Sequence, residues 1–303
     1  MGETIHQVNG IELCAEVRGP TDGVPLLLVM GLGAQLVSWE DDFVSRLVDR
    51  GYRVARFDNR DVGRSTHFDD ADIDVMATLR ALAKGEQVDV PYTLSDMAAD
   101  AAALLDELGM APAHVVGASM GGMIVQAMAI EQPQAVRSVV SIMSTTGDRD
   151  VGQPTAEASQ LLFAPPPTTE DEAVARARES ESTWGSPAHR DPDAAAERAR
   201  REWNRVRNPA GVGRQIVAIN ASGSRTDALG GVQVPVTVIH GDADTLVTPS
   251  GGRRTAEAVP HAVHVEVEGM GHNLPRALWP RIMDEIDATV ARTRDTDPTR
   301  HTD

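Results

Sequence analysis

Cysteine, lysine and long apolar runs are all scarce in this chain of 303 residues. The single cysteine, Cys14, excludes an internal disulfide framework, and its strand-like surroundings predict a buried, unreactive thiol. No apolar run approaches the ~18 residues that a membrane span requires, and the first residues lack the basic and apolar segments of a secretory signal. We therefore expect a cytoplasmic protein with no membrane span.

Basic residues are also few relative to acidic ones. The chain has 28 Lys and Arg against 45 Asp and Glu, which gives a net charge of −17. Nucleic acids and anionic membranes would repel such a chain, so neither is expected as a partner. No Cys and His spacing resembles a zinc site, and we expect no metal. Aromatic residues make up 3% of the chain, which predicts an apolar pocket of small aliphatic and Met side chains without an aromatic cage. The sequence carries no signal for an oligomeric state.

What the sequence does contain is a regular alternation of short apolar runs with amphipathic segments. Runs of this kind suit parallel strands that are covered on both faces; they span residues 26–30, 53–58, 114–116, 136–143, 235–240 and 262–267. Two earlier runs are joined by Asn9-Gly10, which predicts an antiparallel hairpin. Apolar residues at helical spacing over 93–109, with Gly109 at the end, predict a helix. The pattern indicates an α/β fold, with a mostly parallel twisted sheet and helices on both faces.

One long region interrupts this alternation. Between residues 148 and 219 there is no strand-like run, and residues 170–182 and 193–207 are rich in Ala, Glu and Arg. We interpret 148–219 as a helical cap inserted into a core formed by 1–147 and 220–294. A smaller helical insert is expected at 73–83. The chain becomes polar from Arg292 and we expect it to be frayed from there, with residues 295–303 as a polar tail outside the core.

The stretch Gly117-Ala118-Ser119-Met120-Gly121 matches the G-x-S-x-G pattern, with a strand-like run before it and a helix-like run after it. A sharp turn between strand and helix would present Ser119 at a helix N-terminus, where N–H groups favour a developing oxyanion. A structural turn that simply needs glycine is the alternative. The context favours Ser119 as a nucleophile.

A serine nucleophile needs a base and a carboxylate that orients the base. Of the nine histidines, His272 alone lies in a glycine-flanked loop directly after a late strand. Asp242 and Asp244 both follow the preceding strand; Asp244 stands further into the loop and is preferred, whereas Asp242 is placed to cap the turn. The order Ser119, Asp244, His272 is the order found in α/β-hydrolases.

An oxyanion hole requires two backbone donors. The N–H of Met120 is the first candidate, and the N–H of Leu32 in the Gly31-Leu32-Gly33 loop is the second, with a plain glycine turn as the alternative. Candidates for the wall of the substrate pocket are Met30, Met143, Trp184, Leu246 and Leu274.

Five segments taken together carry a family resemblance: MGLG (30–33), FDNRDVGRS (57–65), GASMGG (117–122), VIHGDADTLVTP (238–249) and GMGHNLP (269–275). With them the chain resembles the α/β-hydrolase superfamily, and within it the single-cap carboxylesterases of the aclacinomycin methylesterase type and the 3-oxoadipate enol-lactonase group. The resemblance covers about residues 4–147 and 220–292. Two positions depart from the common pattern, since Met30 precedes Gly31 where relatives commonly have His, and Asp61 stands where many have Gly.

The resemblance implies that Ser119, Asp244 and His272 form a catalytic triad, with Leu32 and Met120 as oxyanion donors. The implied activity is hydrolysis of an ester or lactone of a small to medium apolar molecule, without a metal or organic cofactor. C–C bond hydrolases and cofactor-free perhydrolases use the same triad and remain alternatives. A ligand-binding receptor built on the hydrolase fold is an alternative of another class.

Overall fold

The computed structural model describes residues 2–295. Eight strands form one sheet in the order β1-β2-β4-β3-β5-β6-β7-β8. The pairs β1–β2 and β2–β4 are antiparallel, and the other neighbouring pairs are parallel. The strands are β1 (Thr4–Val8), β2 (Ile11–Arg18), β3 (Val24–Val29), β4 (Tyr52–Phe57), β5 (Ala113–Ala118), β6 (Val136–Ile142), β7 (Val236–Gly241) and β8 (Val263–Val267).

Eleven α-helices are found within the described residues. They are α1 (Asp41–Asp49), α2 (Val75–Ala83), α3 (Leu94–Glu107), α4 (Met120–Glu131), α5 (Ala156–Leu162), α6 (Glu170–Thr183), α7 (Pro192–Arg205), α8 (Pro209–Ala221), α9 (Thr226–Leu229), α10 (Ser250–Ala258) and α11 (Trp279–Asp295). In the described part of the chain, no helix has the length and apolar character needed to cross a membrane.

The sheet separates two apolar clusters, and β3 shows how a single strand supplies both. Leu27 and Val29 pack on the side that carries α3 and α4, whereas Leu26 and Leu28 pack on the side that carries α1 and α11. Successive side chains of a strand point to opposite faces, so an unbroken apolar run is what a two-sided core requires. The predicted fold class, a mostly parallel sheet covered on both faces, is confirmed.

The local predictions near the N-terminus are also confirmed. Asn9 and Gly10 connect β1 to β2 with positive φ angles of 48° and 78°, as a tight hairpin turn requires. The predicted helix over 93–109 is α3, which begins after Thr93 and is followed by Gly109 at φ 59°. Cys14 is buried, and burial raises the pKa of its thiol to about 12.

The inserted region contains α5 to α8 and no strand among its described residues, as predicted. The expected boundary at residue 219 falls inside α8, which continues to Ala221. The expectation of a frayed segment from Arg292 is wrong, because Arg292 lies in α11 and its guanidinium donates to the Val236 carbonyl at 2.8 Å. The rest of the predicted tail, 296–303, lies outside the described residues.

Candidate active site

Ser119 forms the sharp turn between β5 and α4, with φ 55° and ψ −120°. A positive φ is strained for serine, so the surrounding packing must hold this backbone in place. The flanking glycines are required by space: a Cβ at Gly117 would lie 2.1 Å from the Gly121 carbonyl oxygen, and a Cβ at Gly121 would lie 2.1 Å from the Val29 carbonyl oxygen. The Ser119 N–H donates to the Ile142 carbonyl of β6 at 2.9 Å, which ties the turn to the sheet.

Three side chains from separate loops form a hydrogen-bonded chain at the carboxyl edge of the sheet. Ser119 Oγ lies 3.0 Å from His272 Nε2, and His272 Nδ1 lies 2.7 Å from Asp244 Oδ2. The other carboxylate oxygen of Asp244 accepts the N–H groups of Leu246 and Val247, each at 2.9 Å. The carboxylate is therefore held from one side by its own loop and faces the imidazole with the other.

The structure places Asp244, and not Asp242, beside His272. Asp242 is exposed, and its carboxylate accepts the Gly269 N–H at 2.7 Å. Burial of Asp244 raises its pKa, but the His272 and His240 rings outweigh that effect and lower it to about 2. Asp244 is thus an anion at neutral pH. His240 Nε2 lies 3.4 Å from the same carboxylate oxygen that faces His272, although His240 is fully buried in β7.

The loop after β3 passes close to Ser119. A Cβ at Gly31 would come within 3.0 Å of Ser119 Cβ, so glycine is needed for this close approach. The Gly33 N–H donates to the Gln215 side chain at 2.8 Å, which anchors the residue directly after Leu32. Met120 begins α4, and the first N–H groups of a helix have no partner within the helix.

A cavity of about 1120 Å³ opens over Ser119 and His272. All five residues predicted to line the pocket are on its wall: Met30, Met143, Trp184, Leu246 and Leu274. The wall also includes five aromatic residues, of which only Trp184 was predicted from the sequence: Trp39, Phe43, Phe163, Trp184 and Trp279. Half of the ten aromatic residues in the chain are concentrated at this one cavity. Composition counts residue types and carries no information about where they meet.

Several residues that organise the site were not identified from the sequence. Gln215 of α8 accepts from Gly33 and donates to the Arg60 carbonyl at 2.8 Å, so the inserted region anchors the loop beside Ser119. Asn59 donates to the Met30 carbonyl at 3.0 Å. Asn59 belongs to the FDNRDVGRS segment, which was a usable signal, whereas nothing local marks Gln215 among the other polar residues of its helix.

The segment after α6 holds the loop that carries His272. The His272 N–H donates to the Trp184 carbonyl at 2.5 Å, and Ser186 Oγ donates to the Asn273 side chain at 2.6 Å. Thr245, next to Asp244, donates to the Thr183 carbonyl at 2.8 Å. The two loops that supply His272 and Asp244 are therefore fastened to the same short piece of the inserted region.

No group of three or more His, Cys, Asp and Glu in the part of the chain that the structure describes is arranged to hold a metal ion.

Comparison with known proteins shows to which family this fold belongs. Residues 24–275 match the family model described as alpha/beta hydrolase fold, and the chain belongs to that family. This confirms the resemblance inferred from the five sequence segments.

Two curated relatives and one solved structure place the chain more closely. The chain is 30% identical over 293 residues to rhodomycin D methylesterase DnrP of Streptomyces peucetius, covering 88% of this chain and 91% of the relative. It is 30% identical over 256 residues to the putative non-heme bromoperoxidase BpoC of Mycobacterium tuberculosis, covering 82% and 87%. The structure of the enol-lactonase from Burkholderia xenovorans LB400 aligns with a TM-score of 0.69 at 25% identity, covering 95% and 98%. These similarities support a hydrolase of the esterase or lactonase type.

Proposed function

We propose that this protein is a serine hydrolase that cleaves a carboxylic ester or lactone through an acyl-enzyme on Ser119. The observation that carries the proposal is the hydrogen-bonded chain from Ser119 through His272 to the buried, ionised Asp244. A serine hydroxyl is a weak nucleophile by itself, and it becomes effective when an oriented base removes its proton. The methylesterase relative and the enol-lactonase structure support hydrolysis of an ester-type bond.

In the proposed reaction, Ser119 Oγ attacks the carbonyl carbon while His272 Nε2 takes the hydroxyl proton. Asp244 accepts the Nδ1–H of His272, which holds the productive tautomer and stabilises the imidazolium that forms. His272 then gives its proton to the leaving alkoxide, and an acyl group remains on Ser119. Water repeats the sequence, with His272 as base again, and releases the carboxylic acid.

The negative charge that develops on the carbonyl oxygen needs donors that are already in position. We assign this role to the backbone N–H groups of Met120 and Leu32. Met120 contributes from the N-terminus of α4, whose dipole favours an anion. Leu32 contributes from the loop that Gly31 brings against Ser119 and Gln215 anchors.

We further propose that residues 148–219 act as a cap over the site and that the partner is a small organic ester or lactone. A cavity of about 1120 Å³ lies above the range of roughly 300–1,000 Å³ typical of ligand pockets, which favours a medium-sized over a small substrate. A perhydrolase, in which peroxide replaces water as the acceptor of the acyl group, is the second candidate, because one relative is named a putative non-heme bromoperoxidase.

The test compares the wild type with Ser119→Ala on p-nitrophenyl acetate and p-nitrophenyl butyrate. We expect steady turnover by the wild type and a loss of kcat of at least about 10⁴-fold in the variant, because the residues of a triad act as a unit. Equal rates in the two proteins would exclude Ser119 as the nucleophile. Binding of esters without turnover by the wild type would favour the ligand-binding receptor instead.

A further inference from the structure

The charged residues of the cavity wall differ in how they are partnered. Glu40 and Asp148 each form an ion pair with an arginine that is not part of the wall. Arg276 lies 2.6 Å from the Glu40 carboxylate, and Arg254 pairs with Asp148. Two further acids of the wall accept hydrogen bonds from neutral side chains, Glu181 from Asn273 and Glu202 from Ser38. Three arginines line the wall, and none forms an ion pair with any side chain that the structure describes: Arg149, Arg198 and Arg225.

Arg225 is the most deeply buried of the three, with 7% of its surface exposed. Its Nε donates to the Gln126 side chain at 3.2 Å, one terminal nitrogen to the Thr145 carbonyl at 2.9 Å, and the other to the Gly223 carbonyl at 3.4 Å. All three acceptors are neutral, although a guanidinium has five N–H donors and a full positive charge. Burial lowers the pKa of Arg225 to about 10. A buried cation without a counterion is costly, and cations at such sites are usually paired.

The guanidinium spans two loops that both belong to the cavity wall, the one containing Thr145 and the one containing Gly223. Gly147 permits their close approach, since a Cβ there would lie 2.3 Å from the Gly223 carbonyl oxygen and 3.4 Å from Arg225 Nη1. The nearby acid Asp148 is already engaged, because it accepts from Thr226 at 2.7 Å and pairs with Arg254. Asp148 and Glu131 attract Arg225 electrostatically, but no carboxylate among the described residues forms an ion pair with it.

Helix α4 relates the position of Arg225 to that of Ser119. Gln126, which holds Arg225 Nε, lies about two turns from Ser119, and two turns of helix rise roughly 11 Å. The residues that line the cavity in this region include apolar side chains: Met123, Ile216 and Ile219. A ligand lying along this wall would meet a hydroxyl at one end, an apolar stretch, and a buried cation at the other end.

We propose that Arg225 binds a carboxylate of the substrate, so that the preferred substrates are esters or lactones with a carboxylate several methylene groups away from the reacting carbonyl. The inference rests on the proposed hydrolase function and narrows its substrate class. The carboxylate would supply a directly bound counterion, which no described side chain provides, and would use guanidinium N–H groups left over from the three neutral contacts. An arginine that only holds the two loops together is the competing explanation.

The first measurement uses the wild type alone. We compare kcat/KM for the p-nitrophenyl monoesters of adipic and suberic acid with that for p-nitrophenyl heptanoate and nonanoate, which match them in length but lack the charge. A parallel pair tests a carboxylate on the alcohol side by comparing 4-carboxybutyl acetate with hexyl acetate, and the released acid is titrated to follow the reaction. We expect kcat/KM to be about 10- to 100-fold higher for the anionic member of at least one pair. A factor of this size corresponds to the free energy of a hydrogen bond to a charged group. No preference in any pair would overturn the inference.

The variants then separate substrate binding from loop packing. Arg225→Met should remove the preference for the anionic ester while leaving kcat/KM for the neutral ester within about threefold, and Arg225→Lys should retain part of the preference. Arg292→Met is the matched control, because Arg292 also donates to neutral oxygens of Val236 and Thr237 but is not on the cavity wall. Arg292→Met should leave kcat/KM unchanged for both the anionic and the neutral esters. Equal losses on anionic and neutral esters in Arg225→Met would show that Arg225 only supports the loops.

The two proposals fail in different ways. If the wild type hydrolyses no ester, or if Ser119→Ala retains full activity, the proposed hydrolase mechanism is wrong. If neutral esters are hydrolysed through Ser119 and anionic ones are no better, the mechanism stands and the role of Arg225 is wrong.

Discussion

At the scale of single residues, the loop after β7 shows how two similar side chains acquire different roles. Asp242 and Asp244 both lie close to the end of the strand, but Asp242 is exposed and bonds to Gly269, whereas Asp244 is buried against His272. Two N–H groups of its own loop and two imidazole rings surround the Asp244 carboxylate. This environment accounts for an anion that is retained despite its burial.

The pair offers a matched test of the proposed triad. In Asp244→Asn the amide NH₂ can face His272 Nδ1, which would favour the wrong tautomer, and we expect kcat to fall by about 10³- to 10⁴-fold with little loss of folding. Asp242→Asn is the control and should stay within about twofold of the wild type, because Asp242 is exposed and asparagine keeps an oxygen that can accept the Gly269 N–H. Initial rates with p-nitrophenyl butyrate and a thermal unfolding curve for each variant make the comparison. A large loss in Asp242→Asn with full activity in Asp244→Asn would reverse the assignment.

At the scale of elements, α8 is fastened to the core through an unusual residue. Asp61, at which the sequence resemblance leads us to expect glycine, has a positive φ of 68°. Arg214 of α8 binds both of its carboxylate oxygens, at 2.8 Å and 2.7 Å, and the Tyr92 hydroxyl donates to it at 2.7 Å. Burial raises the pKa of Asp61. The hydrogen bonds that its carboxylate accepts, above all the one from Arg214, outweigh burial, so the pKa of Asp61 is lowered. Since α8 also carries Gln215, this ion pair helps to position the loop that contains Leu32.

We expect Arg214→Met to lower the free energy of unfolding by about 3–5 kcal/mol, because it leaves the Asp61 carboxylate buried without its cation. Adding Asp61→Asn should recover about 2 kcal/mol, since asparagine tolerates a positive φ and keeps an acceptor for Tyr92 while removing the charge. Urea unfolding of the two single variants and the double variant measures the coupling. Strictly additive losses would show that the two side chains do not interact as the structure indicates.

At the scale of the whole molecule, the net charge of −17 and the local cation at Arg225 act in opposite directions on an anionic substrate. The overall charge repels the substrate at long range, where salt screens strongly, whereas a buried pair is screened much less. We therefore expect kcat/KM for the anionic suberate monoester to rise about two- to fivefold between roughly 20 and 300 mM NaCl. The neutral nonanoate ester serves as the internal control and should be nearly independent of salt. A fall in kcat/KM for the anionic ester would mean that its carboxylate binds at an exposed site.

Much of the fold and of the candidate site could be predicted from short segments. The strand runs, the Asn9-Gly10 hairpin and the G-x-S-x-G turn depend on residues that are close together in the chain, where backbone sterics and side-chain periodicity act directly. The order of Ser119, Asp244 and His272 also follows from local context, because the loops at the carboxyl ends of parallel strands meet at one edge of the sheet.

Other features were decided by the tertiary structure alone. Four features join segments that are far apart in the sequence: the grouping of five aromatic residues on one cavity, the support of the Leu32 loop by Gln215, the Asp61–Arg214 pair, and the contacts of Arg225 with Gln126 and Thr145. Each depends on how the helices and loops pack on the sheet and on which polar groups that packing leaves with or without a partner. Local periodicity specifies which face of a helix is buried, but the identity of the residue it meets is determined only when the two surfaces pack together.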